Sequence, residues 1–305
     1  MKAKGFEVVT GAFSYTGKYI ARRLLSMGKK VKTITGCPTS ESPFGDQVAV
    51  HQFSFDDPGQ LIQSLEGATV LYNTYWVRFA WGRITFDKAV ENSKMLIKAA
   101  EAAGVRRIVH VSITNASEGS PFPYFRGKAL VEKAIINSKL SYAIVRPTVI
   151  FGTEGILINN IAWLLRRFPI FAIPGSGNCR LQPVFVEDLA EIAVGVGHRE
   201  DNIVVDAVGP EVFTYEELVT LIARNISSRA KMVHVRPWLA LLLARLIGRL
   251  VGDMVITKDE IDGLMSNLLI SEGPPTGHTC LSEWLKQNGK SVGAKYFSDL
   301  RRHYR

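Results

Sequence analysis

Along the first half of the chain the apolar positions alternate between two rhythms. Residues 6–10 form a short apolar run ending at Gly11, a strand signal, whereas Ile20, Leu24 and Met27 fall at helical spacing within residues 19–27. Gly28 closes that helix, and residues 31–35 begin the next strand. Asp57 before Pro58 marks a helix start and Gly67 a stop, around Leu61, Ile62 and Leu65. The series continues with a strand over 69–72, a long helix over 86–103 closed by Gly104, and a strand over 108–111. A helix over 124–137 and a strand over 142–145, halted by Pro147, complete it. This alternation predicts the α/β class: a Rossmann-type doubly wound parallel sheet with helices on both faces, right-handed connections, and a ligand off the C-terminal strand ends.

After Gly152 the rhythm changes. An apolar helix over 156–168 leads to the turn Pro174-Gly175-Ser176-Gly177, short strands follow at 184–186 and 203–206, and helices dominate from Gly209 onward. The expected organisation is a Rossmann domain over 1–152, with 181–208 contributing further strands and a helix. A smaller, mainly helical substrate-binding lobe would comprise 153–180 and 209–305. The sequence shows no repeat or low-complexity tract.

Composition narrows the class. With 305 residues, 47% hydrophobic and 21% charged, the chain is globular. Cys37, Cys179 and Cys280 are far apart and lack C-x-x-C spacing, which excludes a disulfide framework and a zinc site and fits a reducing, cytoplasmic setting. The N-terminus runs almost directly into a strand without a basic leader, so no signal peptide is expected. The net charge of +9 is scattered, without the Lys/Arg runs of a nucleic-acid surface. A solvated basic surface is the first reading of it, and attraction to anionic nucleotides, acidic substrates or lipid headgroups the alternative.

One stretch stands apart. Residues 229–258 hold Arg229, Lys231, Arg236, Arg245, Arg249 and Lys258 against the single acid Asp253. Within it, 238–251 is apolar but shorter than the roughly 20 residues of a membrane span. It reads either as a lobe helix buried against the Rossmann core or as an interfacial helix on anionic lipid.

Thr10-Gly11-Ala12-Phe13-Ser14-Tyr15-Thr16-Gly17 joins the first strand to the first helix. Gly11 permits the tight turn, Gly17 permits close helix–sheet packing, and a pyrophosphate would lie on the free N–H groups of the helix N-terminus. An NAD site places a carboxylate about 20 residues on, at the end of the second strand. Here Thr33-Ile34-Thr35-Gly36-Cys37-Pro38 has no acid, which tilts the expectation toward NADP, with NAD the alternative.

Tyr124 and Lys128 stand four apart in Tyr124-Phe125-Arg126-Gly127-Lys128 and share one helix face. An ammonium beside a phenol lowers the phenol's pKa and makes it a usable proton donor to a carbonyl. Ser112, with Thr114 two residues on, lies at the end of the preceding strand. The alternative is that Tyr124 packs, Lys128 is solvated and Ser112 caps.

Together these motifs resemble the short-chain dehydrogenase/reductase superfamily, in its extended and atypical branch. The resemblance runs through T-G-A-F-S-Y-T-G, Phe55-Asp56, Asn73, Asn92, H-V-S-I-T-N, Y-F-R-G-K, V-R-P-T-V-I-F-G, P-V-F-V-E-D-L-A and V-G-P-E-V-F-T-Y-E-E-L. It implies that Asp56 bonds the adenine, Asn73 lines the cofactor channel, and Pro147 with Val149 flanks the nicotinamide. It also implies Ser112, Tyr124 and Lys128 as the catalytic trio. Ser14 departs from the glycine common in the family's loop.

Tyr75, Trp76, Phe79 and Trp81 follow the fourth strand and either wall an apolar substrate or form core between the lobes. Trp76, Arg78 and Arg180 are the candidate substrate residues, Arg78, Arg83 and Arg180 being candidates for an anionic group. In sugar-nucleotide members an arginine near the position of Arg180 holds a substrate phosphate. The first expectation is an NADP(H)-dependent oxidoreductase acting on a small-molecule carbonyl/alcohol pair, with Tyr124 as general acid. A non-catalytic dinucleotide-binding subunit or redox sensor is the alternative, and a nucleotide-sugar epimerase or dehydratase the third. Oligomeric state is left open, a dimer being one arrangement, and no nucleic-acid partner is expected.

Overall fold

The computed structural model describes residues 5–36, 42–52 and 55–303. Its first elements are β1 (Phe6–Thr10), α1 (Tyr15–Ser26), β2 (Val31–Thr35), β3 (Val48–Gln52), α2 (Pro58–Leu65), β4 (Ala68–Asn73), α3 (Phe86–Ala102), β5 (Arg107–Val111), α4 (Pro123–Ile136) and β6 (Ser141–Pro147). There follow β7 (Ile150–Phe151), α5 (Ile156–Arg167), β8 (Ile170–Pro174), β9 (Arg180–Leu181), β10 (Val184–Phe185), α6 (Val186–Gly197) and β11 (Ile203–Ala207). The chain ends with β12 (Phe213–Thr214), α7 (Tyr215–Asn225), β13 (Lys231–Val235), α8 (Pro237–Val251), α9 (Lys258–Met265), α10 (Leu281–Asn288) and α11 (Asp299–His303).

The chain divides into two compact units, one of residues 1–147 and 186–206, the other of 148–185 and 207–305. The first stretch of the first unit ends at Pro147, the last residue of β6.

In the first unit seven strands form one sheet in the order β11-β6-β5-β4-β1-β2-β3. The strand pairs from β6 across to β3 all run parallel, β1 lying between β2 and β4 with Val9 opposite Thr33 and Tyr72. Every residue of β5 is buried, as expected for a strand covered on both faces. Helices α1 and α6 pack together on one side, while α3 packs with α2 and α4 on the other. Val8, Ile34, Leu61, Leu71, Leu96, Ile108 and Val131 anchor the apolar core. Arg107 is fully buried and ties β5 to α6, donating to Val196 O at 3.0 Å and to Asp201 O at 2.8 Å. Gly197 gives α6 room over Tyr72, whose hydroxyl would sit 2.3 Å from an added Cβ.

The second unit has its own core, formed by Phe151, Ile158, Ile161, Leu165, Leu218, Ile222, Trp284 and Leu285. Its C-terminal segment is stitched to α5 by side chains. Asn160 bonds Phe297 N and O at 3.0 and 2.9 Å, and Arg166 Nε donates to Val292 O at 2.9 Å. This lobe is less helical than the sequence suggests, for β8 pairs in parallel with β13 from Ile170↔Lys231 to Val235↔Pro174. Residues 170–174 read as approach to a turn because a five-residue apolar run beside Pro and Gly carries no period. Val186, expected in a strand, opens α6.

The stretch 238–251 is α8, and it is not a buried lobe helix: of its residues only Gly248 is buried. Among the described residues no helix is long and apolar enough to cross a membrane, and no cluster of His, Cys, Asp and Glu could hold a metal. Of the cysteines, Cys179 is a buried free thiol and Cys280 a half-buried one, while Cys37 lies outside the described residues.

Candidate dinucleotide site and the tyrosine–lysine helix

The loop between β1 and α1 closes tightly because Gly11 takes φ +62°, a left-handed conformation that suits glycine. Gly11 N donates to Ile34 O at 2.9 Å, and Ala12 N to Thr33 Oγ1 at 2.9 Å, so the loop lies over the ends of β1 and β2. Gly17 cannot be replaced without movement, since an added Cβ would stand 2.2 Å from Gly11 O. Ser14, the departure from the family loop, turns its hydroxyl back to Gly11 O at 2.6 Å and does not cap α1. Ser14 thus gives α1 no side-chain cap, and the first turn carries no acid. The positive end of the helix dipole at such an N-terminus suits a phosphate. Phe13, Tyr15 and Thr16 are half-buried beside them.

Thr10 ties this loop to the end of β4. Its Oγ1 accepts from Thr74 N at 2.7 Å and Tyr75 N at 3.1 Å, and its carbonyl accepts from Thr74 Oγ1 at 2.5 Å. Asn73 is fully buried, with Oδ1 accepting from Tyr75 N and Nδ2 lying 3.1 Å from His110 Nδ1. Burial and the nearby Lys128 ammonium push His110 well below its ordinary pKa, so the ring is neutral. Asp56 is exposed beyond Phe55, which packs on Tyr75 with ring centroids 5.3 Å apart. The described end of β2, Thr35 and Gly36, carries no carboxylate, and Cys37 lies outside the described residues.

The helix α4 brings the proposed trio into one neighbourhood but gives its groups other partners. Lys128 is buried, and its Nζ donates to Val111 O at 2.7 Å beneath the Trp76 ring, 4.6 Å from the centroid. Burial lowers its pKa to about 7, and only the Glu132 carboxylate opposes the shift. Ser112 donates its hydroxyl to Glu132 Oε1 at 2.5 Å. Glu132 also receives Arg146 through Nε at 3.0 Å and Nη2 at 2.5 Å. With both carboxylate oxygens already taking guanidinium N–H bonds, Glu132 acts as acceptor and Ser112 as donor. Ser112 is therefore not poised to steady a carbonyl oxygen, which needs a donated hydrogen.

Tyr124 packs edge-on against Trp76 and Phe86, each with centroids 6.0 Å away. Gly127 makes room for Trp76, whose Cη2 would meet an added Cβ at 2.9 Å. The indole Nε1 is buried with no hydrogen-bond partner among the described residues. Trp76 is thus packed on α4 rather than standing as a free wall. Tyr75 is turned inward to Asn92, Phe79 is buried, and Trp81 is 43% exposed. Arg78 sits over the Phe79 ring at 5.6 Å. Pro147 accepts from Thr114 N at 3.0 Å in the first unit. Val149 and Arg180 belong to the second unit, where Val149 lies in the core and Arg180 is exposed on β9.

Glu132 was not foreseen, although Tyr124, Lys128 and Glu132 follow each other at four-residue steps and so share a helix face. His110 was equally hidden, because a histidine inside an apolar strand gives no pattern of its own.

The loop, the start of α1 and the sheet form a Rossmann-like domain, and a family model described as NAD(P)H-binding matches residues 11–156. The chain is 26% identical over 285 residues to "NADH dehydrogenase [ubiquinone] 1 alpha subcomplex subunit 9, mitochondrial" of Arabidopsis thaliana, covering 87% of this chain and 70% of that one. In structure it resembles the Citrobacter sp. triphenylmethane reductase complexed with NADP(H), with TM-score 0.75, 18% identity, and coverage of 92% of this chain and 99% of that one. An NADPH-dependent quinone oxidoreductase from Escherichia coli, complexed with NADPH, gives TM-score 0.74 at 19% identity with the same coverages. A nucleoside-diphosphate-sugar epimerase from Staphylococcus aureus is also similar in structure, with TM-score 0.71, 14% identity, and coverage of 92% of this chain and 99% of that one.

Proposed function

We propose that this chain binds NADP(H) and holds it, without turnover through Tyr124, as a dinucleotide-binding subunit or sensor. The observation that carries the reading is the bond from Ser112 Oγ to Glu132 at 2.5 Å, which commits the serine proton inside the protein. Lys128 supports it, because burial brings its pKa down to about 7, so near neutral pH only about half of the lysines carry the charge that would lower a neighbouring phenol. A bound nicotinamide supplies hydride, but a carbonyl accepting it needs a proton and donors that Ser112 does not offer.

The Arabidopsis thaliana relative, named as a subunit of a mitochondrial NADH dehydrogenase, adds to this reading and suggests a protein partner. In the holding role Gly11, Gly17 and the first turn of α1 would take the pyrophosphate, and Lys128 a ribose hydroxyl. The acid-free end of β2 would admit a 2′-phosphate. The competing reading, reduction with Tyr124 as acid, draws on the one-turn spacing of Tyr124 and Lys128 and on the NADPH-dependent quinone oxidoreductase among the structural neighbours.

Calorimetry with NADPH, followed by NADPH oxidation assays over quinones, triphenylmethane dyes, aldehydes and ketones, separates the two. Tight NADPH binding with no turnover above background is expected. Turnover that Tyr124→Phe removes, by the roughly 10²–10⁴-fold typical of a lost general acid, would overturn the proposal.

A further inference from the structure

Helix α8 turns its apolar residues outward. Trp238, Leu242, Leu246 and Leu250 recur every fourth residue as one stripe, with Leu243 beside it. Trp238 is 61% and Leu250 80% exposed. That inverts the usual arrangement of a surface helix, whose apolar stripe faces the core. The apolar surface extends to the strands next to it: α8 packs on β8, whose Ile170 is exposed, and Val233 is exposed on the paired β13. Pro237 in the first turn and Gly252 at φ +65° fix where the helix starts and stops.

On α8 and the segment leading into it, the exposed charge has one sign, while the acids Asp259, Glu260 and Asp262 follow on α9. Arg236, Arg245 and Arg249 are exposed on α8 or at its cap, and Arg229 and Lys231 are exposed just before it. The single acid of residues 229–258, Asp253, is buried and spent on Tyr296 Oη, Asp299 N and Leu300 N. A second copy of the chain seated on this face would bring Arg245 and Arg249 of both copies together, with no acid on α8 to pair them. An anionic bilayer meets both demands, taking the leucines below the headgroups while arginine stems reach up to the phosphates. Tryptophan favours that same boundary. At about 1.5 Å per residue the helix is too short to span the hydrocarbon, so it would lie in the plane of the surface.

We propose that α8 is an in-plane anchor that docks the second unit on an anionic lipid surface. Trp238, Leu242, Leu246 and Leu250 would be inserted, with Arg236, Arg245 and Arg249 on the lipid phosphates. The proposal is independent of whether the first unit turns its dinucleotide over. Flotation of the whole chain with vesicles of phosphatidylcholine, with and without phosphatidylglycerol, tests it.

The expected result is flotation with the anionic vesicles at low salt, lost in high salt and absent with the neutral ones. Leu246→Glu with Leu250→Glu, at exposed positions, should abolish flotation while leaving thermal unfolding and NADPH binding unchanged. Arg245→Gln with Arg249→Gln should weaken it by roughly tenfold or more. Wild-type protein that stays soluble at low salt, or that binds neutral and anionic vesicles equally, overturns the proposal. Self-association that the leucine double variant abolishes, without flotation, would overturn it too and give the stripe to a second copy.

Discussion

Ser112 Oγ lies 2.5 Å from Glu132 Oε1, one oxygen of a carboxylate that also grips Arg146. This contact joins the end of β5, the third turn of α4 and β6 in a single polar cluster at the heart of the first unit. Glu132 is 3% exposed, so removing it strands a buried hydroxyl and a half-buried guanidinium. Glu132→Ala is expected to cost about 3 kcal/mol in urea unfolding, the scale for breaking a buried ion pair from one side. Glu132→Gln keeps an acceptor for Ser112 and should cost less. Equal stability of Glu132→Ala and wild type would show that the cluster contributes nothing.

The loop makes a sharper demand. Gly17→Ala places a methyl 2.2 Å from Gly11 O, and backbone on both sides must move. NADPH affinity should fall by at least tenfold in isothermal titration, with folding otherwise retained. In the same titration NADPH should bind wild type more tightly than NADH, because no carboxylate at the described end of β2 repels a 2′-phosphate. Tighter NADH binding would reverse the cofactor assignment.

Lys128 gives stability a pH dependence with a definite sign. Its folded pKa is about 7, against an ordinary value of 10.5. Between those values the unfolded chain holds a proton that the native one has released, so the lysine's contribution to stability improves as pH rises from 7 to about 10. The slope is at most about 1.4 kcal/mol per pH unit. Below pH 7 both states are protonated and the burial penalty is felt in full. Lys128→Met should therefore flatten the stability profile across this window, measured by denaturant unfolding at several pH values. An unchanged profile would mean that the lysine is charged in place.

Gly127 is where α4 meets Trp76. Gly127→Val would drive side-chain atoms into an indole whose Cη2 already lies 2.9 Å from the position of a Cβ. Overpacking of this kind costs roughly 1–3 kcal/mol. The indole should leave its place over Lys128, and tryptophan fluorescence should shift relative to wild type. The NADPH titration should lose affinity if Lys128 then moves from Val111 O.

Much of the first unit was legible because its elements carry strong periods and sharp punctuation. The Gly11–Gly17 loop, the stop at Gly28 and the proline start of α2 each follow from a local backbone requirement, and the structure has them where those residues stand. The β8–β13 pairing was not legible, since the two runs stand 61 residues apart from start to start and neither announces a partner. The Tyr124–Lys128 spacing was readable, but not which groups the two residues would meet.

By itself, then, the sequence determined the α/β class, the dinucleotide loop, the absence of an acid after β2, and the basic, apolar character of residues 229–258. These are properties of neighbouring residues and of residues one helical turn apart. Only the tertiary structure decided that Ser112 would give its proton to Glu132, that Lys128 would be buried under Trp76, and that the leucines of α8 would face outward. Each of these depends on which distant surface a side chain meets and on how much water remains there, and burial and hydrogen bonding between remote segments exist only once the chain has packed.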